Sequence, residues 1–591
     1  MSKKIKSVCI VGGGSSGWMT AATFATQFPK MDVTIIESPD FPILGVGEST
    51  LGGIKHWTSL IGLEDKDFLT QTDGSYKLSI KFTDWLGKNT GGFHYPFGEY
   101  QRPIEQVGQN DWWFLKGNRS GVFDDNAYAR CHYPIASVAE NNRMSDDSTG
   151  KTPGFSFVSD VAFHFDATAF GQYLKKTICL PKGVKLINST VEKVNTNDDG
   201  VESLILADKQ KLTADLYIDC TGFKSLLLEE ALGVKFNSIE NLIPNNKAWA
   251  THIPYTDKTK QLQPFTNCTA LNNGWAWNIP LWSRIGAGYA YSNKYISDDE
   301  ALEEFKEHIR TKYEEIPVED LEFKPITMRN GIHEKTWEKN VVAIGLSSGF
   351  IEPLESTGLM TTYEWLLSLI YTLRKGFVNQ WDRDSFNYAL KNIYYGHANF
   401  VAMHYALSSR DDTPYWQDVT ERVRIDPTVN NSLNYETDMG ENLELLYYAT
   451  SAHKYHQFRE GNAGVQCISA GMNYSPIDAK VHRALGILKK FDPELHCDRL
   501  HELYRETQQK YINYADTLPS LYEYLSQSIH QSKDDMTFIG TENDVPQHIY
   551  DSMPDRVKMK VKKKERKTVE PTYRDKNQKW KQRPKGFVTY E

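Results

Sequence analysis

The sequence predicts an α/β fold: a Rossmann-type parallel sheet, an antiparallel sheet inserted on its substrate side, and a mainly helical C-terminal cap. Three observations carry this. A short β-branched run at residues 6–11 leads straight into a glycine-rich turn and a helix. Further apolar runs at 33–36, 215–222 and 341–345 end at an acid or a glycine, as parallel strands do where they meet a cofactor. Beyond residue 360, apolar side chains recur at helical spacing.

Taking the elements in order, the run KSVCIV meets Gly12, Gly13, Gly14, Ser15, Ser16 and Gly17, which spell G-x-G-x-x-G. The first glycine makes the tight turn, the second lets backbone approach a pyrophosphate, and the third packs the next helix on the strand. That helix, starting near Ser16, offers its free N–H groups and positive end to phosphate. Glu37 closes the second strand about 20 residues past the last glycine, where a ribose hydroxyl needs an acceptor. Gly12, Gly13, Gly14, Ser16, Gly17 and Glu37 therefore form the expected dinucleotide site. The loop alone leaves NAD and FAD open. A second fingerprint is missing, since Gly286-Ala287-Gly288 lacks the third glycine.

Residues 1–100 supply the first cofactor half, and 155–230 and 325–360 return to it. Between them, 247–292 alternates apolar residues with Thr, Trp and Tyr and reads as an antiparallel sheet. Helical patterns follow at 361–375, 384–407, 476–491 and 498–514. The expected organisation is a core over 1–360, a helical cap over 361–530 that completes a substrate pocket, and a basic tail over 531–591. From Arg556 the tail holds 14 Lys or Arg against 4 Asp or Glu in a chain of net charge −9. Such a run reads first as a solvated arm, next as one that docks on the acidic body of its own or a neighbouring subunit, and last as one that meets nucleic acid or an anionic membrane.

With 40% apolar and 24% charged residues the composition is that of a globular protein. No apolar stretch reaches the roughly 18 residues of a membrane span, and Lys3, Lys4 and Lys6 precede a strand instead of a signal-peptide core. Seven scattered cysteines without a C-x-x-C pair argue for a reducing compartment and against structural zinc or a disulfide framework. A cytoplasmic protein without metal, membrane or nucleic-acid partner is expected, and self-association is compatible with the sequence. His397 and His404, seven apart on a predicted helix, share a face and read as ordinary core or surface histidines.

Several ordered motifs then narrow the reading. WAWNIP at 275–280, GVGEST at 45–50, HFDA at 164–167, SSGFIEPLESTG at 347–358, SSRDDTPYW at 408–416, and Tyr76-Lys77 within GSYKLSIKFTDW span about residues 5–475 when taken with the nucleotide loop. Together they resemble the flavin-dependent halogenases, the tryptophan halogenases and their relatives. The resemblance implies FAD, delivered as FADH2 by a separate flavin reductase, with O2 and a halide ion as co-substrates. It implies Lys77 and Glu355 as catalytic groups and the backbone of Thr357 and Gly358 as the halide site. It also implies Val46, Gly47, Ser49, Leu346 and Leu359 along the flavin, with Trp275, Trp277 and Ser356 lining the channel. Leu346 follows Gly345 where the wider FAD-hydroxylase fold usually has an aspartate. Lys81 and Glu352 are near neighbours of the catalytic pair but fall out of register with the motifs.

The chemistry so implied explains these residue types. Hypohalous acid made at the flavin would oxidise anything it met. A lysine can hold it through an ammonium hydrogen bond or capture it as a haloamine, and burial readily lowers a lysine's pKa to permit the second. A carboxylate accepts the proton that aromatic substitution releases. Phe97, in Tyr95-Pro96-Phe97-Gly98, stands where the family stacks an aromatic ring, and Tyr455 falls near the substrate's far end. The stretch 447–460 is more charged than a pocket for free tryptophan requires. An electron-rich aromatic of indole, phenol or pyrrole type, larger than tryptophan or bound to a carrier or peptide, is therefore expected. A flavin monooxygenase is the alternative enzyme, and a silent flavoprotein scaffold acting through the basic tail is the alternative from another class.

Overall fold

The run SVCIV buries four of its five side chains and forms the strand Ser7–Val11 at the middle of a six-stranded sheet. The computed structural model describes residues 4–39, 47–105, 107, 111–112, 115–116, 119, 121, 123–144, 146, 151–425, 459–473 and 493–531. Strand order in this sheet is Trp337–Glu338, Val341–Ala343, Leu216–Asp219, Ser7–Val11, Asp32–Glu37, Lys185–Asn188. All neighbours pair parallel except the edge pair Trp337–Glu338 with Val341–Ala343. The helix Ser15–Gln27 follows the first strand and lies against the helices Ala167–Leu174 and Met360–Leu373.

A second sheet has seven strands in the order Lys324–Thr327, Lys247–Pro254, Arg284–Tyr291, Gly274–Pro280, Phe265–Ala270, Ser79–Thr83, Gly92–Pro96. It contains the expected 247–292 meander but is larger, because two strands from the N-terminal part and one beyond residue 320 join it. One pairing, Phe265–Ala270 with Ser79–Thr83, is parallel. A small three-stranded sheet, Gly47–Ser49, Ala162–Asp166 and Ser75–Lys77, has HFDA at its centre. The stretch 75–83 thus leaves one sheet and enters the other around Leu78, whose N–H donates to the Pro264 carbonyl at 2.7 Å. Lys77 stands at that switch.

The helices Met360–Leu373, Gln380–Leu407 and Pro493–Asp516 cover predicted helical regions. The second starts before residue 384 because Asn379 and Asp382 form a reciprocal capping box. The predicted helix at 476–491 and the basic tail from Arg556 lie outside the described residues. Residues 1–530 form one compact unit. Among the described residues no helix is long and apolar enough to cross a membrane.

Trp277 lies flat over Gly288 on the next strand, where a Cβ would come within 2.1 Å of its ring. Gly288→Ala should therefore force the indole aside and cost about 1–3 kcal/mol. Urea unfolding checks this, and an unchanged midpoint would contradict the packing.

Candidate active site

The glycine loop has the geometry its spacing demands. Gly12 has φ of +114°, and a Cβ there would sit 2.2 Å from the Cys220 carbonyl; one on Gly17 would sit 1.9 Å from the Gly12 carbonyl. At Gly14 a Cβ would meet nothing within 4 Å. The helix behind this open face carries no side-chain cap, so its first-turn N–H groups have no intrahelical acceptor. Glu37 sits beside Gly13, and its carboxylate accepts from the Lys175 ammonium at 2.5 Å and the Trp18 indole at 3.2 Å. Ser16 Oγ lies 3.0 Å from Thr362 Oγ1 and packs over Gly345, so the loop abuts the segment bearing Leu346 and Leu359.

Lys77 is fully buried. Its Nζ donates to the Thr50 carbonyl at 2.9 Å and to Ser356 Oγ at 2.6 Å, and stands 5.1 Å from the centre of the Phe97 ring. Burial pushes the ammonium down to about 7, opposed chiefly by the negative charge of Glu355. Ser356 holds a left-handed backbone, φ 58°, unusual for a residue with a side chain. Ser49 Oγ lies 3.0 Å from Ser356 Oγ and 2.7 Å from Thr266 Oγ1, and Thr266 Oγ1 lies 2.9 Å from His164 Nε2. Ser49, Thr50, Lys77 and Ser356, which the sequence separates by up to 307 positions, thus meet at one place.

The loop carrying Glu355 is clamped from behind. The buried Glu352 accepts hydrogen bonds from the Tyr405 hydroxyl and, at 2.8 Å, from the Asn245 amide, and its N–H donates to Asn330 Oδ1. Trp275 also lies against this carboxyl, which burial raises to about 7 despite its hydrogen bonds. Thr357 Oγ1 donates to the carbonyls of Ile351 and Glu352. Among the described residues none accepts a hydrogen bond from the Thr357 or Gly358 N–H. Trp275 and Trp277 stack as tilted rings 5.8 Å apart and are buried beneath this loop. Glu355 is 2% exposed. His404 Nε2 lies 2.8 Å from its Oε1, off the line a hydrogen bond prefers, while His404 Nδ1–H donates to the Phe400 carbonyl.

Residues 7–478 match the family profile described as tryptophan halogenase. The chain belongs to the tryptophan halogenase family. It is thus a flavin-dependent halogenase, an oxidoreductase. Among relatives, the tryptophan 7-halogenase RebH of Lentzea aerocolonigenes is 30% identical over 89% of this chain and 99% of its own. The apo structure of VirX1 superposes with a TM-score of 0.81 at 37% identity, covering 90% of this chain and all of that one. MibH, a lanthipeptide tryptophan 5-halogenase, gives a TM-score of 0.68 at 25% identity over 88% and 93% of the two chains.

The residues present fit the family's flavin. The open backbone at Gly14 and the uncapped helix behind it offer a cradle for the pyrophosphate, and Glu37 faces the loop. Gly47 and Ser49 lie on the strand paired with HFDA, and Leu359 is buried ahead of the helix Met360–Leu373. Val46 and Tyr455 lie outside the described residues. Lys81 points elsewhere, over the Phe265 ring and near Glu140.

Sequence reading missed four participants. Thr50 and Glu48 were visible only as parts of the GVGEST motif, and Thr266 carries no motif at all. His404 reads in the sequence as a helix-face histidine, and nothing in the linear pattern places it against Glu355. Glu48 Oε2 comes within 3.2 Å of where a Gly358 Cβ would stand. Burial, helped by the negative charge of Asp166, raises its carboxyl to about 7. An anion held at Gly358 would be tolerated below that pH, where Glu48 is neutral, and repelled above it, where Glu48 is a carboxylate. The KM for halide should rise as pH passes about 7 and should flatten in Glu48→Gln. Steady-state kinetics against halide at several pH values checks this, and an identical rise in the variant would sink it.

Proposed function

We propose that this chain is an FADH2- and O2-dependent halogenase that captures its halogen on Lys77 and transfers it to an electron-rich aromatic ring resting against Phe97. The observation that carries this is the state of Lys77: a buried amine, held down to about 7, whose hydrogens are taken by Thr50 and Ser356. In the neutral form those two hydrogen bonds use both N–H groups and leave the lone pair free. Reduced flavin with O2 supplies, when bound, the oxidising equivalent that turns halide into hypohalous acid. The Lys77 lone pair attacks the halogen of that acid, an N–X bond forms, and water leaves. The aromatic ring then takes the halogen, the N–X bond breaks, and the ring proton passes to Glu355 and back to the Lys77 nitrogen. The Thr357 and Gly358 amides hold the halide, a separate flavin reductase supplies FADH2, and the tryptophans brace the wall that keeps the organic substrate from the flavin.

The charged stretch 447–460, compared with what a free-tryptophan pocket requires, supports a larger aromatic or one carried on a peptide or carrier. MibH offers a peptide-acting precedent within the family. Seven buried cysteines, none of them in a disulfide, support a cytoplasmic setting.

Mass spectrometry of turnovers with FAD, a flavin reductase, NADH and each halide tests the reading on a panel of indoles, phenols, pyrroles, tryptophan and tryptophan-containing peptides. Halogenated product should vanish in Lys77→Ala while O2 consumption continues. Oxygenated product that persists without halide or Lys77 would make the enzyme a monooxygenase instead. Because the amine must be neutral to act, kcat should rise with pH through about 7, and a fall through the same range would contradict capture on nitrogen.

A further inference from the structure

The HFDA motif has no role in the chemistry above, yet its histidine ends a buried chain that begins at Lys77. His164 lies on the central strand of the three-stranded sheet, directly across from Ser49 on one side and Ser75 on the other. Ser75 Oγ donates to the Pro280 carbonyl at 2.6 Å, which spends its only proton. Its contact of 3.4 Å with His164 Nδ1 must therefore be accepted, so Nδ1 carries the hydrogen. Pro280 also accepts from the imidazole. Burial, with the charge of Lys77 behind it, holds His164 well below the usual histidine range, so the ring is neutral and Nε2 presents a lone pair.

From that fixed end every proton along the chain is assigned. Thr266 must donate to Nε2 at 2.9 Å, and can then only accept from Ser49 at 2.7 Å. Ser49, its proton spent, accepts from Ser356 at 3.0 Å. Ser356 is left with lone pairs alone for Lys77 at 2.6 Å. All six residues are buried, so water has no easy part in reorienting the hydroxyls.

We propose that His164 is a positioning residue for halogen transfer: through Thr266, Ser49 and Ser356 it compels Lys77 to donate, and so keeps the amine's lone pair open for the halogen. Without the acceptor at Nε2, Thr266 can turn back on Ser49, Ser49 on Ser356, and Ser356 can donate to the Lys77 nitrogen. That reversal would occupy the lone pair and favour the neutral amine, lowering the lysine's titration midpoint. The other ionisable groups acting on Lys77 are Glu355 and Cys268, and neither belongs to the chain.

The inference rests on Lys77 being the halogen carrier, but its test does not need turnover. The full chain is labelled with 13Cε-lysine, without flavin, and the Lys77 resonance, identified by its loss in Lys77→Arg, is titrated. Wild type should titrate near 7. Thr266→Val, which keeps the side chain's shape, and His164→Phe should each lower the midpoint by about one pH unit, the effect of one hydrogen bond gained or lost. Thr266→Ser and His164→Gln, which restore a donor and an acceptor, should return it. In turnover, Thr266→Val should lose about tenfold in kcat with KM for the aromatic substrate little changed. A Thr266→Val midpoint equal to wild type overturns the relay. Product that persists in Lys77→Ala would instead remove the capture reading and leave the titration shift standing.

Discussion

The structure turns on an amine buried where water cannot reach it. Taking a lysine out of solvent is costly unless its N–H groups are satisfied, and the protein commonly responds by letting the group lose its charge. Among the described residues two acceptors, the Thr50 carbonyl and Ser356 Oγ, meet the Lys77 nitrogen. A third would have consumed the remaining valence; none would have left the side chain too costly to bury. Every larger feature of the site can be read as serving that balance.

Consider what must converge. Lys77 comes from the small sheet at the point where its chain crosses into the large one, Thr50 from the strand end after the nucleotide loop, and Ser356 from a loop 279 residues away. The loop is fixed by Glu352, gripped by Tyr405 and Asn245, and by Thr357, which bonds back to its own start. Ser49 ties loop and sheet together. Lys77, the loop at residues 356–358 and the strand after the nucleotide loop are thereby held together, as the proposed passage of a reactive halogen over a short path requires. His404 packs against Glu355, its Nε2 2.8 Å from one carboxylate oxygen while Nδ1 is committed to the Phe400 carbonyl.

Much of the fold was legible because its signals are local. The glycine loop encodes positive φ at Gly12 and close approaches at Gly12 and Gly17, and period-two alternation marks the sheet around 247–292. What the sequence hid is non-local. The parallel pairing of Phe265–Ala270 with Ser79–Thr83 joins segments almost 190 residues apart, and no periodicity announces a partner. In the site, the motifs point to Lys77 and Glu355, but the groups packed around them, Thr266, His164 and His404, are ordinary polar residues until the fold brings them together. The early start of the helix Gln380–Leu407 is a different miss, for the Asn379–Asp382 box was written in the chain.

The central claim, that the halogen rests on Lys77, meets its most direct test in a single turnover without organic substrate. Protein, reduced FAD, O2 and bromide would be mixed, quenched and digested, and the peptides read by mass spectrometry. The account predicts one halogen in place of one hydrogen on the fragment containing Lys77, discharged when an aromatic acceptor is added before quenching. Halide oxidised with no halogen on that fragment, or halogen there that no acceptor removes, would contradict it.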